Sequence, residues 1–392
     1  MLYRENRKNG QLLSQLAFGC MRLPRRGGGF DAETARNLLE HAIDQGVNYF
    51  DTAWMYPGNE VLVGKLLKPH RAQINIATKL PISLVKRASD FDKYFQQSLE
   101  HLQTEYIDYY LLHMLTSFDA YRRFVDMGLL EWAEREKERG RIRNFGFSFH
   151  GGPGQFKRII DDYDWDFCMI QYNYLDTERQ AGTAGLLHAV DKGMPVMVME
   201  PLRGGKLAKV PPAAQQVFDA VVPGRTPAEW GLRWVWNHPE ALTVLSGMST
   251  IDQLNANLQL ASEAQAGALA ADELRAIAEA RAVIAEGIRV PCTGCEYCLP
   301  CPQGVLIPTA FSYYNGDGIK GSKPDRLLYL AYMGAFPSKP GFASQCTACG
   351  ACVRHCPQNI DIPRELESVT RELERFWSKP AARIAKRFMK GE

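Results

Sequence analysis

Short apolar runs alternate with longer segments of helical period through the first 290 residues. The apolar runs are QLAFGCM, VNYFDTA, INIATKL, IDYYLLHM, IRNFGFS, DFCMIQYN, MPVMVME and LTVLSGM. Between them, segments such as DAETARNLLEHAIDQG and FDKYFQQSLEHLQ place apolar residues at i, i+3, i+4 and i+7. Eight strands, each followed by a helix, predict an α/β fold of the (β/α)8 TIM barrel type. The alternative is a doubly wound open sheet, but no G-x-G-x-x-G follows the first strand.

Polar residues fall near the carboxyl ends of five predicted strands. They are Asp51, Lys79, His113, Ser148 and Gln171. Chemistry in such barrels takes place at the carboxyl end of the strands, in the loops that lead into the helices. The pattern therefore predicts a site at the barrel mouth.

Composition narrows the class of protein. The chain has 392 residues, of which 46% are hydrophobic and 23% charged, with a net charge of +2. This length favours one large domain with an appended one, and the charge gives no reason to expect nucleic acid as a partner. The N-terminus lacks the apolar stretch of an export signal, and no run approaches the ~18 apolar residues of a membrane span. We expect a cytoplasmic protein without an integral membrane segment.

Eight of the ten cysteines form two dense runs. Cys20 and Cys168 stand alone in strand patterns and are expected to be small core residues. The first run contains Cys292, Cys295, Cys298 and Cys301, and the second contains Cys346, Cys349, Cys352 and Cys356. The second run has the C-x2-C-x2-C-x3-C-P spacing of bacterial ferredoxins, in which three thiolates bind one [4Fe-4S] cluster and the fourth binds its neighbour.

The spacing predicts two [4Fe-4S] clusters with crossed ligands, although the last gap of the first run is one residue short. One cluster would use Cys292, Cys295, Cys298 and Cys356, and the other would use Cys346, Cys349, Cys352 and Cys301. Two separate zinc sites are the alternative, because tetrahedral zinc also binds C-x2-C pairs. In each run three thiols recur at consecutive x2 gaps and a proline follows the fourth cysteine, which favours iron and sulfide. In a reducing compartment, eight cysteines do not indicate a disulfide framework.

Several motifs resemble the aldo-keto reductase family. They are GVNYFDTAWMYPGNE, IATKL, DYYLLHM and GRIRNFGFS. The resemblance covers residues 1 to about 285, and the whole chain resembles the branch of that family with a C-terminal ferredoxin-like domain. By position, Asp51, Tyr56, Lys79 and His113 match the family's catalytic tetrad. The resemblance implies hydride transfer between a nicotinamide and a substrate carbonyl carbon, with the tyrosine hydroxyl giving or taking the proton.

These four residue types suit that chemistry. A carbonyl that accepts hydride develops alkoxide charge and needs a proton donor. Tyrosine has an ordinary pKa of ~10 and becomes a useful acid or base beside an ammonium, which Lys79 would supply while Asp51 orients it. His113 would hydrogen-bond the substrate oxygen. Taken singly, Asp51 could be a helix cap, His113 a core histidine and Tyr56 an ordinary tyrosine.

The resemblance also implies a nicotinamide cofactor, NADP or NAD, with several departures from the family pattern. Phe149 stands where an asparagine is expected, and Met199 replaces a stacking aromatic ring. Gly247 and Gln253 replace the lysine and arginine that often bind the 2'-phosphate, although backbone N–H groups near Gly247 can still bind phosphate. The predicted cofactor-binding residues are Gly19, Met21, Ser148, Gln171, Pro201, Leu202, Gly247, Met248, Ser249, Thr250, Gln253 and Asn257.

Two further residues are candidates with ordinary alternatives. His150 follows Ser148 on a glycine-rich loop and is a candidate substrate contact, or else a hydrogen-bonded loop histidine. Arg203 is a candidate for binding an anionic substrate or a cofactor phosphate, or else an exposed loop arginine.

The pattern divides the chain into three parts. We predict a barrel over residues 1–286, a small α+β ferredoxin-like iron-sulfur domain over 287–362, and a helical tail over 363–392. An insert at 302–345 contains turn signals and a short amphipathic helix, and is a candidate cover for the barrel mouth. The tail carries Arg383, Lys386, Arg387 and Lys390. It is either a solvated helix or a docking element for an acidic redox partner or a membrane surface.

Three functions fit the sequence. The first is a nicotinamide-dependent enzyme that interconverts a small carbonyl and an alcohol, with clusters that exchange electrons with a partner protein. Hydride carries two electrons and each cluster accepts one, so this function requires a flavin or a two-cluster relay. The second is an ordinary reductase with structural clusters. The third is an electron carrier on a barrel scaffold, which the retained tetrad disfavours.

Overall fold

Eight parallel strands close into a barrel in the computed structural model, which describes residues 1–316, 326–335, 337 and 339–382. The strands are β1 Leu16–Gly19, β2 Tyr49–Asp51, β3 Asn75–Leu80, β4 Ile107–Leu115, β5 Ile142–Phe149, β6 Phe167–Gln171, β7 Val196–Met199 and β8 Ala241–Ser246. Each pairs with its neighbour in chain order, and β8 pairs with β1 to close the ring. The predicted (β/α)8 barrel is confirmed.

Helices follow the strands as the 3.6-residue pattern predicts. In the barrel region they are α1 Ala32–Asp44, α2 Asn59–Leu67, α3 Ser89–Leu102, α4 Phe118–Val125, α5 Leu129–Glu138, α6 Pro153–Asp162, α7 Gly182–Asp191, α8 Pro212–Asp219, α9 Pro227–Trp236, α10 Ile251–Glu263 and α11 Ala271–Glu286. In α1, the Asp31 side chain accepts a hydrogen bond from the Thr34 N–H, which satisfies one N–H of the first turn. Leu38 and Leu39 are buried on the inner face of this helix.

Apolar side chains fill the barrel interior. They include Leu13, Ala17, Tyr49, Ala77, Tyr109, Leu111, Phe167, Met169, Met197, Leu242 and Leu245. Leu13 belongs to a short hairpin that pairs Tyr3–Glu5 with Leu12–Ser14 ahead of β1. Because the interior is packed, a ligand is expected at the strand ends and not inside the barrel. Cys20, one residue after β1, and Cys168, inside β6, are both fully buried.

Contacts divide the chain into two compact units. The first unit comprises Met1–Leu202 and Ala228–Ala270, and the second comprises Arg203–Pro227 and the described residues from Ala271 onward. Within the second unit, α8 packs against α11. The division by contacts thus differs from the predicted boundary after residue 286, which remains a prediction.

The C-terminal part of the second unit repeats one local arrangement. This part contains the helices α12 Ile307–Tyr314, α13 Arg326–Leu330 and α14 Ile362–Leu373. The similar sequences CPQGVLIP and CPQNIDIP lead into α12 and α14, so each of these helices has a proline in its first turn, where a missing N–H costs little. The two helices pack together around a core that contains Val290, Phe311, Leu366 and Val369.

Parts of the predicted insert and tail lie outside the described residues. The YYNGDGIKG turn extends into the undescribed residues 317–325, and the four tail cations lie in 383–392. The described part of the tail is helical as far as Leu373 and again over residues 378–382. In the described chain, no helix is both long enough and apolar enough to cross a membrane.

Candidate functional site

A buried ion pair lies at the carboxyl ends of β2 and β3. Lys79 Nζ donates hydrogen bonds to Asp51 Oδ1 and to the Thr52 carbonyl oxygen, each at 2.6 Å. Asp51 is 5% exposed and Lys79 is 2% exposed. Burial raises the pKa of Asp51, and the neighbouring Lys79 opposes that shift. The pair therefore fixes the ammonium in one position.

Tyr56 and His113 complete this group of four side chains. The Lys79 ammonium lies 5.5 Å from the centre of the Tyr56 ring, and the Tyr56 and His113 ring centres are 6.0 Å apart at an angle of 83°. Tyr56 lies in the loop between β2 and α2. Thr52 Oγ1 donates a hydrogen bond to Asn59 Oδ1 at 2.6 Å, which joins the two ends of this loop. The structure thus brings together the four residues that the family resemblance points to.

Both histidines near this group are neutral at pH 7. Burial lowers the pKa of His113 well below its usual range, and the charge of Lys79 lowers it further. Burial lowers the pKa of His150 to about 4, with the Gln180 side chain opposing and Lys79 adding to the shift. A Cβ on the next residue, Gly151, would lie 1.8 Å from the Thr116 carbonyl oxygen, so this loop needs glycine there. The two imidazoles therefore serve as hydrogen-bonding groups and not as cations.

A buried network of amides orients Gln171 at the end of β6. Its Nε2 donates to Asp176 Oδ2 at 2.9 Å, and its Oε1 accepts from Gln180 Nε2 at 2.9 Å. Asn173 Nδ2 also donates to Asp176 Oδ2, at 3.3 Å. Sequence reasoning missed Asp176 and Gln180, because both stand in a loop with no motif to mark them.

The position where the family has asparagine is part of the core. Phe149 is fully buried, and its ring centre lies 5.0 Å from that of Phe156 in α6. The preceding Ser148 is bound to the backbone of β4, where its hydroxyl accepts from the Met114 N–H at 2.9 Å. Phe149 therefore stabilises the packing of α6 and does not present a polar group at the mouth.

The predicted phosphate-binding segment follows β8 and caps α10. Thr250 Oγ1 accepts from the Gln253 N–H at 3.3 Å, and Gln253 Oε1 accepts from the Ser249 N–H at 2.9 Å. Met248 is buried, and Asn257 Nδ2 donates to Ser246 Oγ at 3.1 Å. The Thr250 side chain thus caps this helix, the Gln253 side chain binds the backbone just before it, and the start of α10 keeps the partial positive charge of a helix N-terminus.

The end of β1 lies beside this segment. A Cβ on Gly19 would lie 3.4 Å from the Ser246 carbonyl oxygen, so the two strand ends are close. Arg22, three residues after Gly19, packs its side chain 3.5 Å from the Cβ position of Gly247. Met21, between them in sequence, is 37% exposed. Arg22, whose side chain lies near Gly247 ahead of α10, was not identified from the sequence. Its position in the loop after β1 could have indicated it.

The remaining predicted residues follow β7. Pro201 is buried, and Leu202 packs against α9. A Cβ added to Gly231 of α9 would lie 2.6 Å from a methyl carbon of Leu202. Both belong to the first unit. Arg203 belongs to the second unit and is 3% exposed. This burial contradicts the alternative interpretation of Arg203 as an exposed loop arginine.

The eight clustered cysteines line two cavities in the second unit. The first cysteine cavity is lined by Cys292, Cys295, Cys298 and Cys356, and the second cysteine cavity by Cys301, Cys346, Cys349 and Cys352. Each cavity thus takes three thiols from one run and one from the other, which is the grouping of the crossed assignment. Ile307, the first residue of α12, lines both cavities.

The donor set of each cavity fits a [4Fe-4S] cubane. In the described part of the chain, no three histidine, cysteine, aspartate or glutamate side chains are arranged to bind one metal ion. Each cavity offers four thiols, and the four thiolates of a cubane bind four different irons. Burial raises the pKa of Cys292, Cys298, Cys352 and Cys356, so a metal must displace protons when it binds.

Comparison with known protein families decides the assignment. A profile described as the Aldo/keto reductase family matches residues 15–281. The chain belongs to the aldo-keto reductase family. A second profile, a 4Fe-4S dicluster domain, matches residues 291–360. An aldo-keto reductase barrel followed by an iron-sulfur domain, as predicted, is confirmed.

Individual aldo-keto reductases and an oxidoreductase resemble this chain. The uncharacterized oxidoreductase YqkF of Bacillus subtilis is 27% identical over 303 residues, which cover 68% of this chain and 92% of that protein. The aldo-keto reductase yakc [NADP(+)] of Schizosaccharomyces pombe is 26% identical over 206 residues, which cover 49% and 59% of the two chains. The structure of aldo-keto reductase AKR11C1 from Bacillus halodurans in its holo form is 30% identical, with a TM-score of 0.60, and covers 71% of this chain and 96% of that one.

Proposed function

We propose that this aldo-keto reductase interconverts a small carbonyl compound and its alcohol with a nicotinamide dinucleotide. The observation that carries the proposal is the buried Lys79, which bonds to Asp51 and lies beside the Tyr56 ring next to His113. A fixed ammonium beside a tyrosine favours the phenolate form and lets that hydroxyl exchange a proton near neutral pH.

The chain's own residues would act as follows in reduction. The bound nicotinamide supplies the hydride that reaches the carbonyl carbon. Tyr56 donates its phenolic proton to the carbonyl oxygen as charge develops there, and Lys79 stabilises the resulting phenolate. Asp51 holds Lys79 in place, and the neutral His113 hydrogen-bonds the same substrate oxygen and fixes its direction. In alcohol oxidation these roles reverse.

The residues at the ends of β1, β5, β6 and β8 fit a dinucleotide. Ser148 and the oriented Gln171 would contact the nicotinamide carboxamide, and the start of α10 would bind a phosphate through backbone N–H groups. The aliphatic part of the Arg22 side chain packs near Gly247, so Arg22 is a cation available to this segment that the sequence pattern did not indicate. NADP is the preferred cofactor and NAD the alternative, since Arg22 adds a phosphate-binding charge and one relative carries NADP(+) in its name.

We further propose that the two cysteine cavities hold two [4Fe-4S] clusters that exchange electrons with a partner protein. The exposed Cys349 places the second cysteine cavity at a solvent-accessible surface, and Ile307 lines both cavities, so the two cavities are neighbours. Clusters that only stabilise the fold are the alternative. Eight reduced thiols suit the cytoplasm, which we propose as the location.

One anaerobic experiment tests this function and separates the two roles of the clusters. The cluster-loaded protein is mixed with NADPH or NADH and 4-nitrobenzaldehyde, and the alcohol and the cluster absorbance are followed together. We expect alcohol formation with one NADPH consumed per alcohol. In a parallel sample with NADPH and no aldehyde, we expect the clusters to bleach if the two electrons of one hydride pass one to each cluster. Alcohol formation with unchanged clusters supports a structural role. Oxidation of neither nucleotide with this or other small aldehydes would contradict the proposed reductase.

A further inference from the structure

β4 and β5 are out of register at the residue that carries the candidate imidazole. Leu112 pairs with Phe147, but Leu115 pairs with Phe149. Two residues of β4, His113 and Met114, therefore stand opposite the single residue Ser148 of β5. This is a β-bulge, which redirects a side chain and takes backbone groups out of the ladder.

The bulge contains a residue in an unfavourable backbone conformation. Met114 has φ +64°, in the left-handed region that non-glycine residues seldom adopt. A conformation of this kind persists only where surrounding contacts determine it. The structure must therefore contain a group that holds the Met114 backbone in place.

The Ser148 hydroxyl is that group. It accepts a hydrogen bond from the Met114 N–H at 2.9 Å and donates one to the Leu112 carbonyl oxygen at 3.3 Å. These two backbone groups lie on either side of His113. Ser148 is 1% exposed and Leu112 is fully buried, so the Leu112 carbonyl has no ready access to water as a substitute partner.

We propose that Ser148 is a positioning residue for His113. Its hydroxyl clamps both sides of the bulge and thereby fixes the His113 imidazole beside Tyr56. This role is separate from any contact between Ser148 and a nicotinamide. Its kinetic consequence rests on the proposed function, whereas the placement of the imidazole does not.

Ser148→Ala in the full-length, cluster-loaded protein tests the clamp. We expect kcat for 4-nitrobenzaldehyde at saturating NADPH to fall by about 100-fold, because displacing a reacting group by ~1 Å has an effect of that size. The Kd for NADPH, measured by fluorescence, should rise by no more than about tenfold, which is the effect of losing one hydrogen bond to the nicotinamide. The side-chain NMR signals of His113, from labelled histidine and assigned with His113→Asn, should shift. Ser148→Thr keeps the hydroxyl and should restore both kcat and the wild-type signals.

A second variant pair keeps the test decisive. Glycine adopts φ +64° without strain, so the loss caused by Ser148→Ala should be smaller in a Met114→Gly background. If Ser148→Ala does not fold, Ser148→Cys, with a weaker hydrogen-bonding group, should give an intermediate loss. A raised Kd for NADPH with unchanged kcat and unmoved His113 signals would overturn the inference. If the wild type reduces no carbonyl, the proposed function fails, and the NMR comparison still decides the role of Ser148.

Discussion

Tyr56→Phe is expected to lower kcat for carbonyl reduction by about 100-fold or more, while the Kd for NADPH stays nearly unchanged. The substitution removes the proton donor and keeps the ring that lies beside Lys79 and His113. It also leaves the buried ion pair intact. Removing Lys79 would instead leave the Asp51 charge buried without its partner, which costs about 3–5 kcal/mol and confuses catalysis with folding.

Tyr106→Phe provides a matched control. Tyr106 precedes the first residue of β4, at the opposite end of that strand from His113, and its ring stacks against Arg71 and Arg143 at 3.9 Å each. Phenylalanine keeps the ring, so this variant should turn over like the wild type. Unaltered turnover in Tyr56→Phe, or an equal loss in Tyr106→Phe, would show that Tyr56 is not the proton donor.

In the crossed assignment, Cys356 of the second run and Cys301 of the first run each bind a cluster whose other three ligands belong to the other run. Removal of either cysteine is expected to damage the cluster that it binds. The wild type, purified anaerobically, should contain about eight irons and eight sulfides per chain. In Cys356→Ala, we expect loss or three-iron conversion of the cluster in the first cysteine cavity, because a cubane with three thiolates has one exposed iron. Cys301→Ala should affect the second cavity instead.

Electron paramagnetic resonance distinguishes these outcomes. The spectrum of Cys356→Ala should match that of Cys295→Ala, and the spectrum of Cys301→Ala should match that of Cys349→Ala. Cys168→Ala removes a buried thiol outside both cavities and should leave both clusters intact. A match between Cys356→Ala and Cys349→Ala would show that each run binds its own cluster. Stoichiometric zinc without sulfide would exclude clusters altogether.

Periodicity and spacing predicted the parts of this protein that depend on local pattern. The eight strands follow from short apolar runs, because a strand in a barrel is buried on both faces. Cys356 lines one cavity with Cys292, Cys295 and Cys298, as in the crossed assignment. The ferredoxin spacing of the cysteines is typical of this arrangement of the loops.

Features that depend on contacts between distant segments could not be predicted. The bulge at His113 and Met114 requires knowledge of how β4 pairs with Ser148 on β5, and hydrophobic pattern does not specify a one-residue shift. Arg22 approaches Gly247 only because the barrel closes β1 against β8. The sequence indicates only that Phe149 replaces an asparagine that would contact the cofactor. Its packing against Phe156 in the core is visible only in the structure.

Transfer of a labelled hydride tests the central claim most directly. NADPH carrying deuterium at one face of the nicotinamide C4 is supplied with an aldehyde under anaerobic conditions, and the alcohol is analysed by mass spectrometry and NMR. Direct transfer at the site of Tyr56 and His113 predicts deuterium on the carbinol carbon from one of the two C4 faces only. Alcohol without deuterium from either face, with label released to solvent while the clusters become reduced, would contradict hydride transfer at this site.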